Sequence, residues 1–352
     1  MRHPIISGWF SLWMLIWGLT SAQTPPGPAP RELWKLKLKE RLVAGPWVED
    51  DALYVAGFDY VIRKVEPLKG KTLWSYRAQD RIYNTPVGND SIVVVGSTDK
   101  YIYALHKASG RLAWRYLTEG IIDANPVYHN GVFYCGSGDH RLYAIDAVTG
   151  EKRWALETDD AIFAEPCVTD SLVYIASNDG HCYAVETRTG AIRWKSQKYF
   201  MFSAGGVLAD SLWIQPCANG YVYALRLTDG TQAWKFRTEA LCRSTPIRWK
   251  DYVFVGSNDK YLYCLRLKDG SARWKLRGEG EVLNKPAMAR WQGREVVVWH
   301  SYEGKVHAAD PLSGDLLWSF ATTGNLSSQP VYHQGRLYVA GKDNYLRCLK
   351  MD

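Results

Sequence analysis

Apolar positions along the chain fall in short runs, each closed by Gly, Asp or Asn. Between residues 111 and 147 the runs are "RLAWRYL", "PVYHN", "GVFYCGS" and "RLYAIDA". β-Branched and aromatic residues fill them and turn-forming residues punctuate them, so each run predicts a β-strand. The third run of a unit is almost continuously apolar, as in "SIVVVG" and "DYVFVG". That pattern predicts a strand in a sheet covered on both faces.

The group of four runs recurs. Trp marks the beat at Trp34, Trp74, Trp114, Trp154, Trp194, Trp234, Trp274 and Trp318, at intervals of 40 residues and finally 44. Four residues before each later Trp stands Gly70, Gly110, Gly150, Gly190, Gly230, Gly270 or Gly314. Twelve residues after each Trp comes a Pro, replaced once by Gly206. A turn acid or amide follows in each unit: Asp59, Asp99, Asp139, Asp179, Asn219, Asp259, Glu303 and Asp343. The longer last interval fits an insertion in "AMARWQGRE", expected to be a lengthened loop.

Units of about 40 residues with four strands have the period of propeller blades. One such sheet cannot bury both faces alone, and closing the stack into a ring leaves no exposed end. The chain opens on a Trp strand, "RELWKLKL", and closes on a triplet without one, "PVYHQGRLYVAGKDNYLRCLK". The expected fold is therefore all-β: an eight-bladed propeller over residues 32–352, closed by the N-terminal strand. Gly suits a turn with positive φ, Trp offers a flat surface for the next sheet, and Asp caps its own turn. Their presence in every unit marks them as structural residues.

Composition places other segments. Residues 1–22 pair a basic start (Arg2) with an apolar run from Ile5 to Leu19 and small residues Thr20 and Ala22. They read as a signal peptide of an exported protein, the alternative being an uncleaved anchor; no transmembrane span is expected in the mature chain. Residues 23–31, "QTPPGPAPR", read as a Pro-rich linker. Taking the one Arg of residues 1–22 from the 43 basic side chains leaves 42 against 36 acidic ones. That mild surplus forms no dense cluster, so nucleic acid is not an expected partner.

The pattern "YAIDAVTGEKRW" resembles the Trp-docking repeat of the pyrroloquinoline-quinone-like (PQQ-like) propeller superfamily, over residues 32 to 352. That superfamily includes quinoprotein dehydrogenases and BamB-type outer-membrane assembly factors. The dehydrogenases carry adjacent cysteines and much longer loops, and this chain has no Cys-Cys pair and almost bare units. Blade number and length match the BamB type, although the lipidated Cys of those proteins is absent and their Arg-containing partner loop has no counterpart here. The resemblance implies a non-enzymatic scaffold in the periplasm or cell envelope, monomeric and without a cofactor, presenting loops to a protein partner in outer-membrane protein assembly. The second reading is a quinoprotein-like enzyme that binds PQQ or another small ligand at the channel mouth.

Candidate chemistry is sparse. Cys135, Cys167, Cys182, Cys242, Cys264 and Cys348 take places that other units give to small or apolar residues, and Cys217 takes a Ser place. They read as packing thiols, with a disulfide left open. His140 and His181 lie beside Asp139 and Asp179 in neighbouring turns, but a metal would need a third ligand and none is expected. The residues before each Pro position should line the channel: Gly45, Thr85, Asn125, Glu165, Gly205, Thr245, Lys285 and Gln329. Glu165 and Lys285 stand three blades apart, a separation expected to keep them from meeting. No nucleophile, zinc or phosphate-loop motif occurs.

One loop departs from the rest. Eight residues after each Trp an apolar anchor recurs, preceded by polar residues such as Gln79-Asp80-Arg81. In one unit these are Tyr199-Phe200-Met201, and "SAGGV" replaces the usual Pro segment. Three large apolar side chains in one loop cannot all reach the core. They are the candidate partner contact, the alternative being a plug over the channel mouth.

Overall fold

The computed structural model describes residues 27–351. The segment 1–22, expected to be a signal peptide, lies outside the described residues. Eight four-stranded antiparallel sheets make up the fold, each sequential from inner to outer strand except the last. Blade three shows the plan with Val127–His129, Val132–Gly136, Arg141–Asp146 and Lys152–Glu157. The eighth blade takes Val331–His333, Arg336–Ala340 and Tyr345–Lys350 from one end of the chain and Arg31–Lys37 from the other, with Trp34 opposite Cys348. The expected closure is therefore present. The closing strand begins at Arg31, and before it the Gly27 N–H donates to the Leu317 carbonyl of blade seven at 2.6 Å.

Each Trp docks on the next blade. The indole N–H of Trp34, Trp74, Trp114, Trp154, Trp194 and Trp234 donates to a carbonyl 33 residues on, at 2.8–3.0 Å. Trp274 reaches Pro311, 37 residues on, at 3.2 Å. The facing Gly, from Gly70 to Gly314, holds φ between 68° and 80°. A Cβ there would lie 2.4–2.8 Å from the indole. Both the backbone conformation and the close approach thus require Gly. Between blades, residues such as Ile92, Val94, Phe133 and Ile145 fill the core.

The turn Asp does more than cap its turn. Asp99 accepts from the Tyr101 N–H at 2.9 Å, the Tyr103 hydroxyl at 2.8 Å and the Gln79 N–H at 3.0 Å, tying turn, strand and incoming loop together. Asp139, Asp179 and Asp259 repeat this with Tyr143, Tyr183 and Tyr263. In blades one and eight Arg replaces the Tyr, and Asp59 pairs with Arg63 and Asp343 with Arg347.

One local expectation changes, and one departure from the repeat finds its cause. The insertion is a longer hairpin, not a longer loop: Ala287–Trp291 pairs with Arg294–Ser301, where other inner strands have two or three residues. Gln292 and Gly293, both at positive φ, make the tight turn that twisted strands favour. Gly206 replaces Pro for a reason in the facing strand. Trp213 stands where other blades place Val, Leu or Phe, and a Cβ at Gly206 would lie 2.1 Å from its Nε1.

Candidate functional site

The loops that join blades share a face with the turns between second and third strands, and backbone hydrogen bonds fix the two together. In every blade a turn N–H donates to a loop carbonyl: Phe58 to Arg41, Thr98 to Arg81, Gly138 to Ile121, Asn178 to Ala161, Ala218 to Met201, Asn258 to Leu241, Tyr302 to Glu281 and Lys342 to Asn325. Eight equivalent rim positions result.

The Tyr199-Phe200-Met201 loop has slipped by one residue. In most blades the residue four after the Trp donates to the turn carbonyl, as Thr118 does to Lys100 and Thr238 to Gly220. Here the outer strand stops early, at Lys195, and the N–H of Tyr199 donates to Gly180, one residue later than the repeat places it. Tyr199 therefore takes the inward place held elsewhere by a Thr. It packs on Tyr223 with ring centroids 4.4 Å apart and on Phe202 at 6.0 Å. Tyr199 is thus half-buried and serves the core beside Phe200 and Met201. Phe200 and Met201 remain 52% and 40% exposed. Leu241 on the next rim position is also exposed, and so is Ile121 two positions back, beyond the buried Ala161.

At the centre of this face, Gly45, Thr85, Asn125, Glu165, Gly205, Thr245, Lys285 and Gln329 line one cavity of about 280 Å³, as expected. The expectation for its two charges fails. Lys285 Nζ lies 3.6 Å from Glu165 Oε1. The channel is narrow, and the two intervening blades contribute only Gly205 and Thr245 to the ring, so the Lys side chain can span the gap. Asn125 also donates to Glu165 Oε2 at 2.8 Å, and its own Oδ1 accepts from the Thr85 N–H at 2.7 Å. One layer along the channel, burial raises the pKa of the Asp123 carboxyl.

The cysteines are free thiols. All are buried except the half-buried Cys167, and burial raises their pKa values. The candidate His140 occupies a turn at φ 71°, and His181 Nδ1 lies 2.9 Å from the Ser196 carbonyl oxygen. Among the described residues, no three His, Cys, Asp or Glu side chains are placed to hold a metal ion. No described helix is long and apolar enough to cross a membrane.

Eight four-stranded blades, Trp docking and closure by the N-terminal strand define a PQQ-like β-propeller that resembles BamB. The chain belongs to the family described as "Beta-alanine-activating enzyme, beta-propeller", whose model matches residues 42–351. The crystal structure of BamB from Moraxella catarrhalis is similar, with a TM-score of 0.76 at 16% identity, covering 92% of this chain and 100% of that one. The computationally designed protein Ika8 is similar too, with a TM-score of 0.80 at 15% identity over 91% and 99% of the two chains. At these identities the likeness concerns the fold. No curated protein sequence matches the chain.

Proposed function

We propose that this protein is an exported, non-enzymatic propeller, monomeric in the cell envelope, that docks a protein partner on the face carrying the channel mouth. The observation that carries the reading is the slipped loop, which spends Tyr199 on the core and leaves Phe200 and Met201 in solvent. Exposed aromatic and Met side chains beside a polar rim have the composition of interface anchors. The BamB-like fold supports a scaffold role, and outer-membrane protein assembly is the process that the likeness brings forward. The family's name joins this propeller to an enzyme, and the reading assigns the propeller to binding, not chemistry. The double substitution Phe200→Ser/Met201→Ser should abolish capture of the partner from an envelope extract while moving the thermal midpoint by no more than a few degrees. Unchanged capture, or collapse of the fold, defeats the proposal.

A small-ligand channel is the second reading, favoured by the Glu165–Lys285 pair at its mouth. The residues present do not fit PQQ. Glu165 and Asp123 oppose Lys285 and Arg243 around the cavity, giving no net positive site for a polycarboxylate. Incubation with PQQ and calcium should produce no new visible absorbance and no dehydrogenase activity.

A further inference from the structure

The eight rim positions differ in chemistry around the ring. From the third to the sixth, the loop residues are Ile121, Ala161, Met201 and Leu241, with Phe200 beside them. Across the channel mouth the first and second are Arg41 and Arg81, the seventh and eighth are Glu281 and Asn325, and Lys342 occupies the turn of the eighth. Arg41 and Met201 are half a ring apart.

The cationic half is built on aromatic rings. The Arg41 guanidinium lies 4.4 Å from the centroid of the Phe58 ring and that of Arg81 lies 5.5 Å from it. Phe58 stands where other blades place Thr98, Gly138 or Ala218, and Tyr83 meets it edge-on at 4.6 Å. Lys342 lies 4.4 Å from the Tyr302 ring centroid and donates to its hydroxyl. Arg41, Arg81 and Lys342 form no ion pair among the described residues. Of the nearby acids, Asp59 pairs with Arg63 and Glu281 accepts from Asn258, while Asp80 accepts from the Arg81 N–H and its charge acts on the Arg81 guanidinium. Glu40 is the remaining carboxylate beside a pocket lined by Lys39, Phe58, Arg77 and Arg81. A guanidinium held near an aromatic ring keeps N–H edges for a carboxylate, and holding it in place lowers the entropy lost on binding.

We propose that the docking face recognises an acidic, apolar chain segment of its partner. Its carboxylates pair with Arg41 and Arg81, and its apolar side chains cross the channel mouth to rest on Phe200, Met201 and Leu241. This rests on the reading of the face as a docking surface and names the chemistry of what docks. Charge complementarity selects an acidic partner, and the apolar half selects a chain segment over a small oxyanion.

The test uses calorimetry with the purified protein and a capped peptide of about twelve residues alternating Glu and Leu, which when extended reaches roughly 40 Å. The peptide should bind, and its Lys-for-Glu and Ser-for-Leu counterparts should bind at least about tenfold more weakly. Arg41→Gln/Arg81→Gln and Phe200→Ser/Met201→Ser should each weaken binding by a similar factor, with thermal midpoints confirming intact folds. Raising salt should weaken the Glu peptide, and millimolar inorganic phosphate should not displace it. Equal binding by the Lys peptide, indifference to the Arg substitutions, or displacement by phosphate overturns the proposal. If Phe200→Ser/Met201→Ser abolishes partner capture while Arg41→Gln/Arg81→Gln does not, the docking reading stands and only the acidic-segment inference fails. If neither affects capture, both fall.

Discussion

Gly270 and Trp234 offer a direct measure of what couples one blade to the next. Gly270 holds φ at 72°, and a Cβ there would meet indole atoms Cε3, Cδ2 and Cζ3 of Trp234 at 2.4, 2.7 and 3.0 Å. Gly270→Ala therefore incurs two costs: left-handed backbone strain of about 1–2 kcal/mol and overpacking of about 1–3 kcal/mol. Trp234→Ala alone loses a buried indole and its 2.8 Å hydrogen bond to Leu267, at about 3–5 kcal/mol. In the double variant the overlapping ring atoms are gone, so Gly270→Ala should add only its backbone strain. The cycle should then show the pair less destabilising than the sum by about 1–3 kcal/mol. Urea unfolding of the four proteins, with slopes compared to confirm a common unfolded state, gives the numbers. Additivity within about 0.5 kcal/mol would refute the account, because the indole face would then not be what forbids a side chain at Gly270.

Three further outcomes follow from other sites. Deleting residues 27–37 removes the fourth strand of blade eight and bares Tyr345–Lys350, so size-exclusion chromatography should show aggregation in place of a monomer peak; a monomer of unchanged melting temperature would contradict closure. Burial lowers the pKa values of His300 and His307 from 6.5 to about 4, so the folded protein refuses protons that the unfolded chain accepts, and stability present above pH 6.5 is lost as pH falls towards 4. Each site contributes on the order of 3 kcal/mol to that loss, and His300→Gln should flatten the slope of melting temperature in this window, with an unaltered slope counting against the assignment. Gly206→Pro alone should destabilise blade five by colliding with Trp213, and Trp213→Val should recover most of the loss; equal stability of Gly206→Pro with and without Trp213→Val would dissociate the two residues.

The ring was legible because its parts repeat. Trp, Gly and Asp return in register, and each has a local physical reason to do so, so the blades, their order and the channel-lining positions could all be read from spacing. What spacing does not carry is distance across the ring. Glu165 and Lys285 stand 120 residues apart, and their contact depends on channel width and on the small Gly205 between them. Tyr199 was read as exposed because the repeat was counted by residue, whereas the backbone hydrogen bond to Gly180 counts one residue later. The short outer strand ending at Lys195 causes that shift, and no residue type announces it. Other features were readable but compared along the wrong axis. Listing Arg41, Arg81, Ile121, Ala161, Met201 and Leu241 as one column divides the rim, and setting Trp213 against Val173 and Val253 exposes the partner of Gly206.

Closing the circle with a strand from the opposite end of the chain leaves one seam different from the other seven. Every other docking Trp receives the turn between the third and fourth strands of the next blade, with its Gly. Blade eight has no such turn, because its fourth strand, Arg31–Lys37, arrives from elsewhere. Trp318 is fully buried, and among the described residues its indole N–H finds no acceptor. The molecule is thus a bracelet with seven Trp–Gly clasps and one overlap held instead by the Gly27 N–H on the Leu317 carbonyl, located by where the two ends of the ring meet, not by any blade's own sequence. Moving that junction by circular permutation, with a Gly turn joining Tyr345–Lys350 to Arg31–Lys37, would supply the missing clasp there and carry the overlap to whichever blade receives the new ends.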